Sequence, residues 1–223
     1  MKSYDVVVCG GGHAGIEASL ISLKLGCKTA LVTMNKRAIG RMSCNPAIGG
    51  LSKGQIVKEM DILGGMMGFA TDFSAIQFKI LNQSKGKSVW SPRAQVDKRI
   101  YESFVLNKIV ASNLEVVEGE VVDIIHKNEN IKGVILRDGS KIKARSVILT
   151  CGTFLNGLIH IGQRKIRAGR MGESAADGIT ESLVKMGFKS GRLKTGTPPR
   201  INKNSIDWNS AKKVYGDEIA MPF

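Results

Sequence analysis

A glycine turn between two short apolar runs constrains this chain more than any other feature. Val6-Val7-Val8-Cys9 is apolar and β-branched, the composition of a strand buried on both faces of a parallel sheet. Gly10-Gly11-Gly12-His13-Ala14-Gly15 follows at once. Gly10, Gly12 and Gly15 fit the spacing G-x-G-x-x-G. In that pattern the first glycine permits a tight turn, the second lets backbone approach a pyrophosphate, and the third lets helix and strand pack closely. Ile16, Leu20 and Leu23 then recur at helical spacing, and Gly26 ends the segment. The start of such a helix directs N–H groups and the positive end of its dipole at a phosphate. Thr29-Ala30-Leu31-Val32 opens a second strand and completes a βαβ unit of about 30 residues. One position departs from the pattern. The end of the second strand ordinarily offers a carboxylate to the ribose hydroxyls, whereas Thr33 stands there, followed by Met34 and Asn35. Thr33 or Asn35 could serve as neutral partners.

Residues 36–54 read as a functional loop, since four glycines, a proline and four cations do not make a core. Cys44 lies in it with Arg41 and Lys53 nearby in sequence. Cations favour a reactive thiolate, and composition leaves a small buried thiol equally open. Helical spacing predicts a helix over residues 55–63, ended by Gly64-Gly65. A short connector follows over 66–73, with Thr71 or Asp72 as a cap. Residues 75–81 alternate as a strand does, and Arg93-Ala94-Gln95-Val96-Asp97 reads as the opening of a helix that runs to Ala111. Arg93 and Gln95 could touch a ligand or only bridge and cap. Residues 114–126 alternate as strands. Lys132–Leu136 and Lys141–Arg145 flank an Asp138-Gly139 turn, the mark of a hairpin. Ser146 to Thr153 is a further buried strand that runs into Gly152. The glycine-rich, basic stretch 162–172 suits a flavin phosphate, an RNA backbone or a solvated loop, and residues 175–186 are helical.

Bulk composition narrows the classes. The chain has 33 Lys and Arg against 19 Asp and Glu, a formal charge of +14. Such a surplus favours a polyanionic partner, nucleic acid first; an acidic remainder of a longer protein or a lysine-rich proteome would also account for it. No apolar run approaches the ~20 residues that span a bilayer. Asp5 and the glycines break up any leader-like apolar segment. The four cysteines, Cys9, Cys27, Cys44 and Cys151, lack metal-ligand spacing. A reduced, cytoplasmic protein is the simple expectation.

This order of elements, a βαβ half, a meander and a return strand ending at a glycine, resembles the two-dinucleotide-binding flavoproteins. The resemblance implies an α/β fold, a Rossmann-like FAD-binding domain with a small β-meander. In it, Val147–Gly152 would be a second glycine signature, Val121 would lie on the strand whose main chain reads adenine, and Cys151 would be structural. A more specific likeness is carried by Met42-Ser43-Cys44-Asn45-Pro46-Ala47-Ile48-Gly49-Gly50. Together with Gly10–Gly15, Arg93-Ala94-Gln95 and Lys194-Thr195-Gly196-Thr197-Pro198-Pro199-Arg200, it closely resembles the GidA (MnmG) family. Those flavoenzymes install a carboxymethylaminomethyl or aminomethyl group at C5 of the tRNA wobble uridine. The family resemblance implies FAD at Gly10, Gly11, Gly12, His13, Ala14, Gly15, Thr33, Val121 and Gly152, and Cys44 as the functional cysteine. It implies NADH and methylene-tetrahydrofolate as co-substrates, with glycine or ammonium. It further implies tRNA as substrate, the GTPase MnmE as partner, and a cytoplasmic homodimer with no membrane attachment. Non-acidic residues at the Thr33 position occur in the same family. A region spanning 1–197 is expected to form an incomplete FAD-binding domain, and 198–223 to start a second, inserted domain cut short. A second cysteine, the NADH region and the GTPase-docking region are expected beyond Phe223, so that the segment alone is inactive.

Three rival classes carry different expectations. A folate- and FAD-dependent tRNA uridine methyltransferase shares the glycine turn but calls for an acid at Thr33 and no Cys-Asn-Pro loop. A small-molecule flavin oxidoreductase fits the fold and leaves the charge unexplained. A non-catalytic nucleotide-binding module would keep all function after replacement of Cys44 and Gly12.

Overall fold

The computed structural model describes residues 2–42, 45–196 and 201–223. Its first unit is β1 (Ser3–Cys9), α1 (His13–Lys24) and β2 (Thr29–Thr33). β1 and β2 run parallel, Val6 beside Thr29 and Cys9 beside Val32. Every residue of β2 is buried, which explains why its sequence reads as an unbroken run instead of an alternation.

The chain then makes an antiparallel side sheet surrounded by helices. Its elements are β3 (Ala47–Gly49), α2 (Gly54–Ile62), α3 (Met67–Ser74), β4 (Ala75–Leu81) and β5 (Ser91–Val96), in the strand order β3-β5-β4. α4 (Lys98–Ala111) leads back to the main sheet. β6 (Glu115–Glu118) joins parallel to β2. β7 (Val121–Lys127), β8 (Asn130–Leu136) and β9 (Lys141–Leu149) form an antiparallel meander whose last strand returns parallel to β1. The six-stranded order is β6-β2-β1-β9-β8-β7. A hairpin of β10 (Leu158–Ile161) and β11 (Arg164–Arg167) and the short α5 (Ile179–Lys185) complete the elements. This is the expected α/β arrangement, a Rossmann-like parallel core with a meander.

Alternation along β1 sends its side chains to two cores. Val8 joins Ile16, Leu31, Tyr101, Val105 and Ile109 on the helical side. Tyr4, Val7 and Cys9 join Ala30, Val32, Val134 and Ile179 on the other. Burial suppresses thiol ionisation at this strand end: it pushes Cys9 up to about 12, with Cys151 adding to the rise, and raises Cys151 as well. Both behave as small apolar groups, which agrees with a structural Cys151.

Several local expectations are corrected. Residues 91–96 form the central strand of the side sheet, and the helix starts only at Lys98. Asp97 decides this boundary, because its carboxylate accepts the N–H groups of Arg99 and Ile100 at 2.8 and 3.1 Å. The 66–73 connector is instead α3. Thr71 and Asp72 do not cap it: Thr71 Oγ1 donates to the Met67 carbonyl, and Asp72 accepts the N–H of Phe223. The loop 36–54 does contribute to the core, through buried Ile39, Met42 and Ile48. Ser146–Leu149 continues β9 without a break, the 162–172 stretch contains one strand of a hairpin, and the 175–186 helix is confined to α5. Near the chain's end, Asp217 accepts the Ile80 N–H at 2.7 Å and Lys79 Nζ donates to the Tyr215 carbonyl at 2.7 Å, so this segment packs along β4. The boundary expected between 197 and 198 falls in residues 197–200, outside those described.

α3 has no side-chain cap of its own. Glu17 on α1 supplies one from a distance, its carboxylate accepting the N–H groups of Met66 at 3.0 Å and Met67 at 2.6 Å. Charged hydrogen bonds of this kind contribute about 1.5–3 kcal/mol, so Glu17→Ala should cost ~2 kcal/mol and lower Tm by about 4–8 °C. Glu17→Gln, which keeps an acceptor, should lose less. Thermal unfolding of the two variants checks this, and equal melting temperatures for wild type and Glu17→Ala would remove the cap from the account.

Candidate cofactor site

The C-terminal ends of β2, β1 and β9 meet at one edge of the sheet, where ligands of open α/β folds bind. The glycine turn lies there, and its glycines have distinct jobs. Gly10 has φ +119°, and a Cβ on it would lie 2.5 Å from the Thr150 carbonyl oxygen. A Cβ on Gly15 would lie 1.8 Å from the Gly10 carbonyl oxygen. A Cβ on Gly11 would come within 2.9 Å of Thr33 Oγ1. Gly12 differs: a Cβ there meets no atom within 4 Å. Gly12 and Ala14 are exposed, whereas Gly11 and Gly15 are buried. Two of the motif glycines are therefore required by protein packing, and the middle one faces open space. That is the fit expected of a pyrophosphate cradle.

Neighbouring groups hold the turn rigid. Thr150 Oγ1 donates toward the carbonyls of Cys9 and Gly10 at 3.0 and 3.2 Å, and its N–H donates to Cys9 O at 2.9 Å. The Gly10 N–H donates to Val32 O, and the Gly40 N–H to Gly11 O. Gly12 is the N-cap of α1, and no side chain caps that end. His13, the first helical residue, packs edge-on against Tyr101 with ring centroids 5.5 Å apart. Burial, seconded by Arg170, lowers the His13 pKa, with Glu102 opposing, so the imidazole is neutral at pH 7. Tyr101 is itself buried, and its hydroxyl pKa is raised by that burial.

The other anticipated residues take different positions. Thr33 is buried at the end of β2, and its hydroxyl lies 3.5 Å from Asn35 O. Asn35 Oδ1 accepts the Arg37 N–H, so its acceptor serves the following turn. Gly152, at φ +58° and exposed, lies two residues beyond the Thr150 contact, and its Cβ direction is also open. Val121 begins β7 beside Leu136, its side chain buried in the second core. That burial leaves only its main chain for an adenine. The preceding Glu120 anchors this strand end: it pairs with Arg137 and accepts the Asp177 N–H at 2.9 Å. The Arg137 guanidinium holds the Glu120 carboxyl below its usual range.

Cys44 lies outside the described residues. Both shoulders of its loop are described. The Met42 N–H donates to Glu102 at 3.2 Å, and Pro46 O accepts the Val96 N–H at 2.8 Å. Arg41 is engaged by Glu173 at 3.0 Å, and Glu173 also binds Arg170 at 2.7 Å. Arg170 lies over the Phe154 ring, 5.0 Å from its centroid. Arg93 and Gln95 sit on β5 opposite Gly49 and Ala47. Thr150, Tyr101, Glu102 and Glu173 carry no motif signal, because the partners that tie them to the site, Cys9, His13, Met42 and Arg41, are 60 to 141 positions away. Among the described residues, no group of His, Cys, Asp and Glu could hold a metal ion. No helix there is long and apolar enough to cross a membrane.

Comparison with known proteins gives a consistent neighbourhood. The family model described as glucose inhibited division protein A matches residues 5–223. The chain is 51% identical over 218 residues to a Flavobacterium johnsoniae protein named tRNA uridine 5-carboxymethylaminomethyl modification enzyme MnmG, covering 97% of this chain and 35% of the relative. A Sulfurihydrogenibium protein of the same name is 53% identical, covering 96% and 35%. The solved structure of Aquifex aeolicus GidA superposes with TM-score 0.91 at 48% identity, over 97% of this chain and 36% of that one. The chain thus spans about a third of the length of the curated relatives it matches.

Proposed function

Because the chain belongs to the family described as glucose inhibited division protein A, we propose that it is the nucleotide-binding part of an FAD-dependent tRNA-modifying enzyme. The reaction is installation of a carboxymethylaminomethyl or aminomethyl group at C5 of the wobble uridine. The observation that carries the cofactor reading is Gly12, open and exposed between glycines locked by packing. Gly10 to Gly15 would hold the pyrophosphate of FAD, with Thr33 near the ribose, the main chain of Val121 toward the adenine and Gly152 across the strand ends. FAD supplies hydride and one-carbon redox chemistry when bound. The chain's own residues position it and exclude competing contacts. Neutral His13 adds no cation at the helix start, leaving backbone dipoles to meet the phosphates.

Cys44 is the proposed nucleophile, acting through its thiolate on the pyrimidine ring or on a cofactor-derived intermediate. The surplus of cations supports tRNA as the substrate, with phosphate contacts fixing its position and the target base unstacked into the site. NADH, methylene-tetrahydrofolate and glycine or ammonium are the proposed co-substrates. A GTPase partner of the MnmE kind, a homodimer and a cytoplasmic location complete the reading. Residues 1–197 are its FAD-binding domain, and 198–223 begin an inserted one.

A titration of the chain with FAD and, separately, with NAD tests the cofactor, read by flavin fluorescence and thermal shift. Preferential FAD binding is expected. Preference for NAD would overturn the flavoprotein reading. In the whole protein, FAD binding without tRNA binding would instead favour a small-molecule oxidoreductase.

A further inference from the structure

Taking the FAD reading as premise, we infer that Glu118 supplies the ribose-binding carboxylate that the end of β2 lacks, delivering it from the neighbouring strand β6. In dinucleotide folds an acid at the end of the second strand binds the adenosine ribose hydroxyls. Here Thr33 fills that place, buried against Gly11 and directed at Asn35 O. Its register partner on β6 is Glu118. The strand ends are clamped together, since the Gly119 N–H donates to Thr33 O at 2.8 Å.

Glu118 reaches over this edge. Its Oε2 accepts the Lys36 N–H at 2.9 Å, which sets the carboxylate on the turn just past β2. That turn also carries Ile39, which packs on Gly11. A path therefore joins the carboxylate to the glycine turn through Lys36, the adjoining Asn35, Thr33 and Gly11. Glu118 is exposed, and its Oε1 accepts no hydrogen bond among the described residues. One oxygen orients the group and the other remains for a donor. A ribose diol offers two hydroxyl donors and suits it. A phosphate ester on the same ribose would meet a like charge, so the carboxylate selects a dinucleotide with an unmodified adenosine ribose.

The test is a binding cycle in the whole protein, with FAD and with an FAD analogue lacking both adenosine ribose hydroxyls. Wild type should prefer FAD by about 10- to 100-fold, the span of a hydrogen bond to a charged group. Glu118→Gln keeps an acceptor for Lys36 and should shrink that preference. Glu118→Ala should nearly abolish it, while binding of the analogue stays close to wild type in both. Full preference retained in Glu118→Ala, with FAD still bound, would overturn the assignment of Glu118 alone. Failure of wild type to bind either dinucleotide would overturn the FAD reading, and this inference with it. Equal weakening toward both dinucleotides would mark Glu118 as a support for the 36–38 turn and also overturn its ribose role.

Discussion

Gly12→Ala is expected to leave the fold intact and abolish tight FAD binding, whereas Gly15→Ala, three residues on, is expected to destroy the fold itself. The two substitutions add the same methyl group to one turn, and geometry separates their consequences. At Gly15 the new Cβ would lie 1.8 Å from the Gly10 carbonyl oxygen and 2.7 Å from Thr150 Oγ1. Both are fixed, the first as backbone and the second by its contacts with Cys9 and Gly10. Relief requires α1 to move off β1, opening the core around Val8 and Ile16. A cost of ~4 kcal/mol or more follows, in the range that removes a marginally stable domain. At Gly12 the added Cβ meets nothing within 4 Å, and φ −78° is ordinary for any residue. Alanine is a poorer helix cap than glycine but restricts the unfolded chain, and these effects nearly cancel within about 1 kcal/mol. The methyl would stand where backbone must approach a pyrophosphate. Losing one or two charged hydrogen bonds weakens FAD by about 100-fold or more. Thermal unfolding and a flavin titration on both variants distinguish the cases. Wild-type FAD affinity in Gly12→Ala would mean that the open space at Gly12 serves something other than the cofactor.

The contrast shows which parts of this molecule were legible in the sequence. The βαβ start was readable because its signals are local: an apolar run, three spaced glycines and a helical period. The Asp138-Gly139 hairpin was readable for the same reason. Residues 91–96 were misread because six residues cannot separate a period of 2 from one of 3.6 when an apolar helix follows directly. Asp97 was the useful signal, an N-cap that places the helix one residue later. α3 was missed because its cap comes from Glu17, 49 positions earlier. The proposed ribose carboxylate shows the same limit. Reading along β2 reveals a missing acid at Thr33, but only strand pairing brings Glu118 beside it. Spacing likewise shows Arg41 as a cation near Cys44, which lies outside the described residues, and gives no sign of its partner Glu173, 132 positions away.

Cys44→Ser in the whole protein should reduce tRNA modification by about 10³-fold or more, as loss of an activated nucleophile does. A serine hydroxyl cannot ionise near neutral pH, so an isosteric change removes the thiolate while keeping its size. FAD affinity should stay within about twofold, since the cradle rests on Gly10 to Gly15 and on Thr150 rather than on this loop. The loop's shoulders are held by Glu102 at Met42 and by Val96 at Pro46. On the loop's side those contacts use the Met42 N–H and the Pro46 carbonyl, which the substitution leaves unchanged. Modification scored on purified tRNA, beside a flavin titration of the same preparation, separates chemistry from cofactor loss. Modification at the wild-type rate would strip Cys44 of the nucleophile's role and return the loop to a purely structural one. Loss of both modification and FAD would show that the loop supports the cofactor. Loss of modification with FAD retained would assign the chemistry to the thiolate and leave the glycine turn a separate task, that of holding the cofactor.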